Sequence, residues 1–349
     1  MWGVPFGELV TLDLPAFFYF FVLRGRQMFT RIVIIVSLAL GLLFQAASAQ
    51  QPKQIPRVGF VAPQGRSLPL FDAFRQGLAD LGYVDGKNII IESRFAEGHY
   101  ERFPQIFSEL VSHKVDVLAV TGLVTARAAM KSVTDLPIVF SMVVDPVADK
   151  VVPSLEHPGG NITGVTSFDP QQAAKQLELF REVVPSIKRV AILGEEGLSG
   201  ALISTGEEQA RALGLRPQAL RVTGPNPDLE GAFAAMKQQH ADAVLVLEYP
   251  VLGVHATKIA ELAAKDRLPT MFAPSRAAAG GLIDYGTSQT AAIRRMAAYV
   301  DKVLKGANPG ELSVETVKNY ELIVNLKTAH EIGVTVPPEV LKRADRVIQ

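Results

Sequence analysis

From Pro56 onward the chain alternates short aliphatic or β-branched runs with amphipathic stretches, and it does so twice over. An apolar run covered on both faces, followed by a stripe of period 3.6, is the pattern of a parallel strand and its crossover helix. In the first half this predicts strands at Arg57 to Ala62, Asn88 to Glu92, Val115 to Val120 and Pro137 to Ser141. Between them Phe71, Phe74, Leu78 and Leu81 fall at helical spacing, and Gly82 is placed to end that helix. Phe103, Ile106, Phe107, Leu110 and Val111 repeat the pattern. Both stripes are read as core packed on a sheet.

The second half has the same alternation. Helices are expected at Gln171 to Val184, Ser199 to Leu213, Leu229 to Gln239 and His255 to Lys265, with strands at Arg189 to Leu193, Pro217 to Val222, Ala243 to Leu247 and Pro269 to Phe272. Local wording recurs as well: Val115-Asp116-Val117-Leu118 is answered by Ala241-Asp242-Ala243-Val244, and Leu136-Pro137 by Leu268-Pro269. The tail adds strands at Leu282 to Tyr285, Leu312 to Thr316 and Leu322 to Leu326, and a helix at Gln289 to Leu304. The expected fold is α/β, two Rossmann-like lobes with parallel sheets flanked by helices, joined by several hinge crossings. Lobe 1 is drawn as 56–166 plus 286–311 and lobe 2 as 167–285 plus 312–349. A length of 349 residues supports two cores rather than one.

Lysine plus arginine equals aspartate plus glutamate at 35 each, so no positive field draws in nucleic acid. Cysteine is absent, which excludes disulfides, thiolate metal sites and a lipid-modified cysteine. Met28 to Arg31 forms a short basic start, Ile32 to Phe44 an apolar stretch, and Ala47-Ser48-Ala49 a small-residue cleavage signal. These are the three parts of a secretory signal peptide, with cleavage expected after Ala49 and a periplasmic destination. Residues 1–27, with a second apolar run at Phe17 to Leu23, are read as an over-extended N-terminus from a start placed before Met28. The rival reading is a pair of membrane-inserted anchoring segments.

Several segments, in order and spacing, resemble one known family: Phe71 to Asn88, Phe95 to Gly98, Leu136 to Phe140 with Asp145 to Ala148, Pro158 to Val165, Gly280 to Gly286, Tyr299 to Gly306, Glu321 to Thr328 and Arg343 to Asp345. The chain from 57 to 349 is similar to substrate-binding proteins of ABC transporters, in the group that includes tryptophan-type receptors with the type I periplasmic-binding-protein fold. The resemblance implies a monomeric venus-flytrap receptor that needs no cofactor. It would close two lobes on a small solute such as an amino acid, and deliver it to an ABC permease and its ATPase subunit.

In open parallel α/β sheets the crevice lies beyond the carboxyl ends of the strands. Those positions yield the candidate contacts Gln64, Thr121, Gly122, Thr125, Ser141 and Asp145 in lobe 1, and Glu248, Tyr249 and Ser275 in lobe 2. Thr121-Gly122 opens a helix whose free N–H groups suit a carboxylate, with Thr125 one turn on; the ordinary alternative is a threonine N-cap. Asp145 suits a ligand amine, or else makes a turn with Pro146. Glu248 follows an apolar strand, where it faces ligand or solvent. Phe95, Phe272 and Tyr249 either wall an apolar group or pack internally.

The six histidines are scattered without metal-ligand spacing, and Ser199 lacks the G-x-S-x-G context of a hydrolase nucleophile. Glu195-Glu196 and Glu207-Glu208 are read as solvated surface pairs. The expectation is therefore a binding protein and not an enzyme. The alternatives are a sensor that presents solute to a membrane signalling protein, a repressor-like regulator, and a hydrolase.

Overall fold

The computed structural model describes residues 55–63, 69–167, 169–196, 200–224, 226–248 and 250–349, apart from the side chains of 69, 170, 201, 250 and 275. The signal-peptide and start-site expectations, and Gln64 and Tyr249, lie outside the described residues. Residues 55–349 form one compact unit. It begins with β1 (Arg57–Ala62), α1 (Pro69–Asp80), β2 (Ile90–Phe95), α2 (Phe103–Ser112), β3 (Val117–Thr121), α3 (Leu123–Ser132), β4 (Ile138–Val143) and β5 (Ile162–Thr166). There follow α4 (Pro170–Val183), β6 (Arg189–Glu195), α5 (Ala201–Ala212), β7 (Arg216–Val222), α6 (Leu229–Gln238), β8 (Ala243–Val246), α7 (Pro250–Val254), α8 (Ala256–Lys265), β9 (Thr270–Phe272) and β10 (Ile283–Thr287). The chain ends with α9 (Gln289–Leu304), β11 (Glu315–Thr316), β12 (Tyr320–Asn325), α10 (Leu326–Ile332), α11 (Pro338–Arg343) and β13 (Arg346–Ile348).

Two sheets result: a six-stranded one ordered β11-β5-β4-β3-β1-β2 and a seven-stranded one ordered β13-β12-β10-β9-β8-β6-β7. Every pairing in the first is parallel. In the second only β12 against β10 is antiparallel. The period of 2 along a strand splits the first lobe's core in two. Val117 and Ala119 pack with Phe60, Phe74 and the α9 residues Ile293, Met296 and Val300 on one face. Leu118 and Val120 pack with Phe103, Phe107, Leu110 and Phe140 on the other. The second lobe has its own core around Phe180, Ile192, Leu245 and Met271.

The recurring Asp116 and Asp242 do one job in both lobes. Asp116 Oδ2 accepts the Arg57 N–H at 2.7 Å, and Asp242 Oδ2 accepts the Lys188 and Arg189 N–H groups at 2.8 Å. Each carboxylate satisfies a donor where a neighbouring central strand begins, before the ladder can.

Several expectations need correction. Leu81 and Val111 continue their stripes in sequence but are 42% and 49% exposed: Leu81 falls past the end of α1, and Val111 in the last turn of α2. The strand expected at Asn88 to Glu92 runs instead from Ile90 to Phe95. Asn88 Oδ1 accepts the Val84 N–H at 2.6 Å, so that residue belongs to the preceding turn. The run Ile162–Thr166, read only as part of a motif, is a fully buried strand. Of the strand expected at Leu312 to Thr316 only Glu315–Thr316 forms, and it pairs with β5 in the first sheet, so the start of the 312–349 segment belongs to lobe 1. α9, reached after the second crossing, packs on α1, and Gly77 leaves that contact open: a Cβ there would lie 2.9 Å from that of Ala297.

Candidate functional site

The three connections between the lobes leave from one end of the sheets. They follow the carboxyl ends of β5, β10 and β11, and β12 starts opposite Thr287, the last residue of β10. The carboxyl ends of both parallel sheets therefore face a shared junction, the position where such folds hold ligands.

On the first lobe's rim, β3 ends at Thr121, which pairs with Ser141 of β4 and is buried. The N-cap of α3 is not Thr121 but Gly122, at φ 81° and ψ 156°, with no side-chain cap. L side chains rarely adopt that backbone conformation, so a glycine serves it. The Gly122 N–H donates to Ser141 O at 2.9 Å, and the Ala126 N–H returns to Gly122 O at 3.0 Å. Thr125 and Ser141 are both 0% exposed, and among the described residues neither hydroxyl has a hydrogen-bond partner. Asp145 is engaged by a turn: its Oδ1 accepts the Ala148 N–H at 3.0 Å and its carbonyl accepts the Asp149 N–H at 2.9 Å.

β4 ends irregularly. Met142 has φ 61° and the register with β5 shifts between Phe140 and Val143. Beneath that irregularity sits Gly164, where a Cβ would come within 2.1 Å of Phe140 O. The shift turns the Val143 and Val144 carbonyls toward Thr166 Oγ1, which lies 2.8 Å from each.

In the second lobe Glu195, at the end of β6, is not a solvated surface residue. Its Oε2 accepts the Val251 N–H at 3.2 Å, and burial pushes its carboxyl above the ordinary range. Glu248 follows β8, is half-buried and lines the pocket. Burial raises its carboxyl above the usual value, opposed by the charge of Arg276 and a hydrogen bond from Gln289 Nε2 to Oε1 at 3.3 Å. Because α9 packs on the first lobe, that bond joins a carboxylate of one lobe to a helix of the other. The Arg276 guanidinium rests on Gly253, where a Cβ would fall 2.1 Å from one of its nitrogens. Phe272 is core, and Phe95 packs against Phe71 and Phe60 at 5.9 and 6.3 Å between ring centres, so neither walls the pocket. The side chain of Ser275 lies outside the described residues.

A pocket partly open to solvent lies at this junction, lined by Val144, Asp169, Gln172, Gln176, Leu202 and Glu248 among others. Of the residues chosen from sequence, Glu248 lines it; Thr121, Gly122, Thr125 and Ser141 form the lobe 1 rim outside its immediate lining. Asp169, Gln172, Gln176 and Gln289 were missed. The Asp169-Pro170 pair is a helix-start signal, but it would have counted as a strand-end position only had β5 been read as a strand.

The crossings are tied to one another beside the pocket. Asp169 caps α4 through the Gln171 N–H at 2.9 Å, and its other oxygen accepts the Tyr320 hydroxyl. Tyr320 stacks on Tyr285 at 5.7 Å, and Gln176 Nε2 donates to Tyr285 O at 2.8 Å. The Ser288 N–H donates to Asn319 O at 2.7 Å, and the Val317 N–H to Thr166 O at 2.9 Å. Among the described residues no group of three His, Cys, Asp or Glu side chains is placed to hold a metal ion, and no helix is long and apolar enough to cross a membrane.

Comparison with known proteins agrees with this architecture. A tyrosine-binding protein of Clostridioides difficile is 26% identical over 268 residues, covering 73% of this chain and 74% of that one. A conserved domain protein of Vibrio cholerae superposes with a TM-score of 0.74 at 28% identity, over 84% of this chain and 100% of that one. An ABC domain from Streptococcus pneumoniae in complex with L-Trp superposes with a TM-score of 0.75 at 25% identity, over 84% and 99%. The fold is that of the type I periplasmic binding proteins. Residues 65–348 match the ABC transporter substrate binding protein family, and the chain belongs to that family.

Proposed function

We propose that this substrate-binding protein is the periplasmic receptor of an ABC importer for an amino acid, and that it passes its solute to the permease without chemical change. The observation that carries the reading is the pocket where the carboxylates Asp169 and Glu248 and the amide of Gln172 gather beside Val144 of the first lobe. Clustered acceptors suit an ammonium group. The lobe 1 rim offers the opposite chemistry, with the amino end of α3 and the hydroxyls of Thr125 and Ser141, which have no partner among the described residues, suited to a carboxylate. The amine therefore falls to Glu248 and Asp169, which line the pocket, rather than to Asp145, which stands outside its lining. Thr121 and Gly122 shape the rim, and Gln64, Tyr249 and Ser275, at strand ends in sequence, complete the proposed contact set.

The relatives that bind tyrosine and carry L-Trp favour aromatic amino acids. Solute that touches both lobes only when they are shut shifts the population toward closure, and the closed shape is what the permease reads. We further propose that the working unit is a monomer, reached through the signal peptide at 28–49, with neither nucleic acid nor a catalysed reaction in its role. The test is thermal unfolding of the purified protein against the common L-amino acids. A bound one at about a hundred times its Kd stabilises by about 2.7 kcal/mol. If none raises the melting temperature, the amino-acid reading fails.

A further inference from the structure

Gln172 stands in the first turn of α4 and lines the pocket. Its backbone is satisfied, since its N–H donates to Asp169 O at 3.0 Å. Its side-chain Oε1 is buried, and among the described residues no donor reaches it. A buried carbonyl oxygen left without a donor is costly and demands a reason. Gln176, one turn later on the same helix face, marks the contrast: its amide is anchored on Tyr285 O at 2.8 Å.

The two glutamines meet the same strand, but Gln172 lies opposite Gly286. A Cβ on Gly286 would stand 3.0 Å from Gln172 Nε2 and 3.2 Å from Pro274 Cδ. The Gly286 backbone is outside the left-handed region, so nothing in its conformation calls for glycine. What the position needs is room for the Gln172 amide.

We infer that Gln172 is a specificity-determining residue, seated by the space at Gly286, whose Oε1 accepts a hydrogen bond from an N–H or O–H of the bound solute. The inference rests on the receptor reading above and names how that site selects. A site built to hydrogen-bond a donor rejects analogues that lack it far more strongly than an apolar wall can. The donor is either the solute's ammonium or a polar group on its side chain.

The test is calorimetric titration of the wild type, Gln172→Met, Gln172→Glu and Gly286→Ala with L-tyrosine, L-tryptophan, L-phenylalanine and 3-(4-hydroxyphenyl)propionate. Gln172→Met keeps length and loses the acceptor, so it should weaken the wild type's best probe by about tenfold or more. Gln172→Glu keeps an acceptor and should stay close to wild type, while Gly286→Ala, which displaces the amide, should resemble Gln172→Met. Without probe no variant should melt far below the wild type, and Gln172→Met, which sheds the buried oxygen, should melt no lower at all. If the donor is the side-chain group, Gln172→Met erases the preference for L-tyrosine over L-phenylalanine. If it is the ammonium, Gln172→Met narrows the gap between L-tyrosine and 3-(4-hydroxyphenyl)propionate. Wild-type affinity in Gln172→Met, or equal losses in Gln172→Met and Gln172→Glu, overturns the inference and leaves the receptor reading standing. A wild type that binds none of the probes overturns the inference, and it overturns the receptor reading as well only if the other common L-amino acids also leave the melting temperature unchanged.

Discussion

The hydroxyl of Tyr320 donates to the carboxylate of Asp169, and so the third interlobe crossing is fastened to the first at the edge of the pocket. The two residues are 151 positions apart in the chain. Asp169 also caps α4, which makes one side chain serve the helix, the hinge and the pocket lining at once. Burial and the neighbouring carboxylate hold the Tyr320 hydroxyl well above its ordinary pKa, so it stays a donor throughout the working range.

Tyr320→Phe removes that hydrogen bond and keeps the ring stacked on Tyr285. The expected loss is about 1–2 kcal/mol in urea unfolding. Small-angle scattering of the unliganded variant should also show a more open average shape, because one tie between crossings is gone. An unchanged unfolding midpoint together with an unchanged scattering profile would count against the hinge role.

Glu248 predicts a pH dependence of binding. Its carboxyl titrates above the ordinary carboxylate value because it is buried, and an ammonium in the pocket needs it charged. Affinity for an amino acid should therefore fall as pH drops through that raised value and level off above it. Glu248→Gln keeps the shape and should flatten the profile at a lower affinity. Calorimetry from pH 5 to 8 checks this, and parallel profiles for the two proteins would refute it.

Gly77 predicts a packing cost. A Cβ there would lie 2.9 Å from Ala297 Cβ and 3.1 Å from the Arg294 backbone, neither of which is a flexible end. Gly77→Ala must push α9 off α1, at about 1–3 kcal/mol. Since Gln289 opens α9 and bonds Glu248, the displacement should also reach the pocket and weaken solute binding. The readouts are chemical unfolding and titration of the same variant.

Asp284 predicts a pH dependence of stability. It is 0% exposed in the middle of the second sheet, and among the described residues neither of its oxygens has a hydrogen-bond partner. Burial pushes its carboxyl from 3.8 up to about 7, opposed by the charge of Arg346. The folded value lies above the unfolded one, so the native state holds the proton longer. Stability is then fully present below pH 4, declines as pH rises toward 7 and is flat beyond, a difference on the order of 4 kcal/mol. Asp284→Asn should remove that decline, which urea unfolding at pH 4, 5.5 and 8 would reveal. A wild-type slope that persists in the variant would place its origin elsewhere.

Much of the fold was legible because its signals are local. The runs at β1, β3, β6 and β8 and the stripes of α1 and α2 report burial through periodicity, and both lobes and their repeat followed. The elements that escaped have weak or shared patterns. β5 is short and contains Gly164, which is glycine only because Phe140 O presses on it from the next strand. Within 312–316 the residues read as one strand, but pairing with β5 decides that only two of them form it.

The sequence by itself determined the two α/β lobes, the strand ends that face the crevice and Glu248 among the pocket's residues, since each depends on order along the chain. Only the tertiary structure decided that Asp169, Gln172 and Gln289 join Glu248, that Asp145 is spent on a turn, and that Gly286 clears space for an amide. The pocket's contacts form where separated crossings converge, between residues 41 to 151 positions apart, and such contacts leave no periodicity to read.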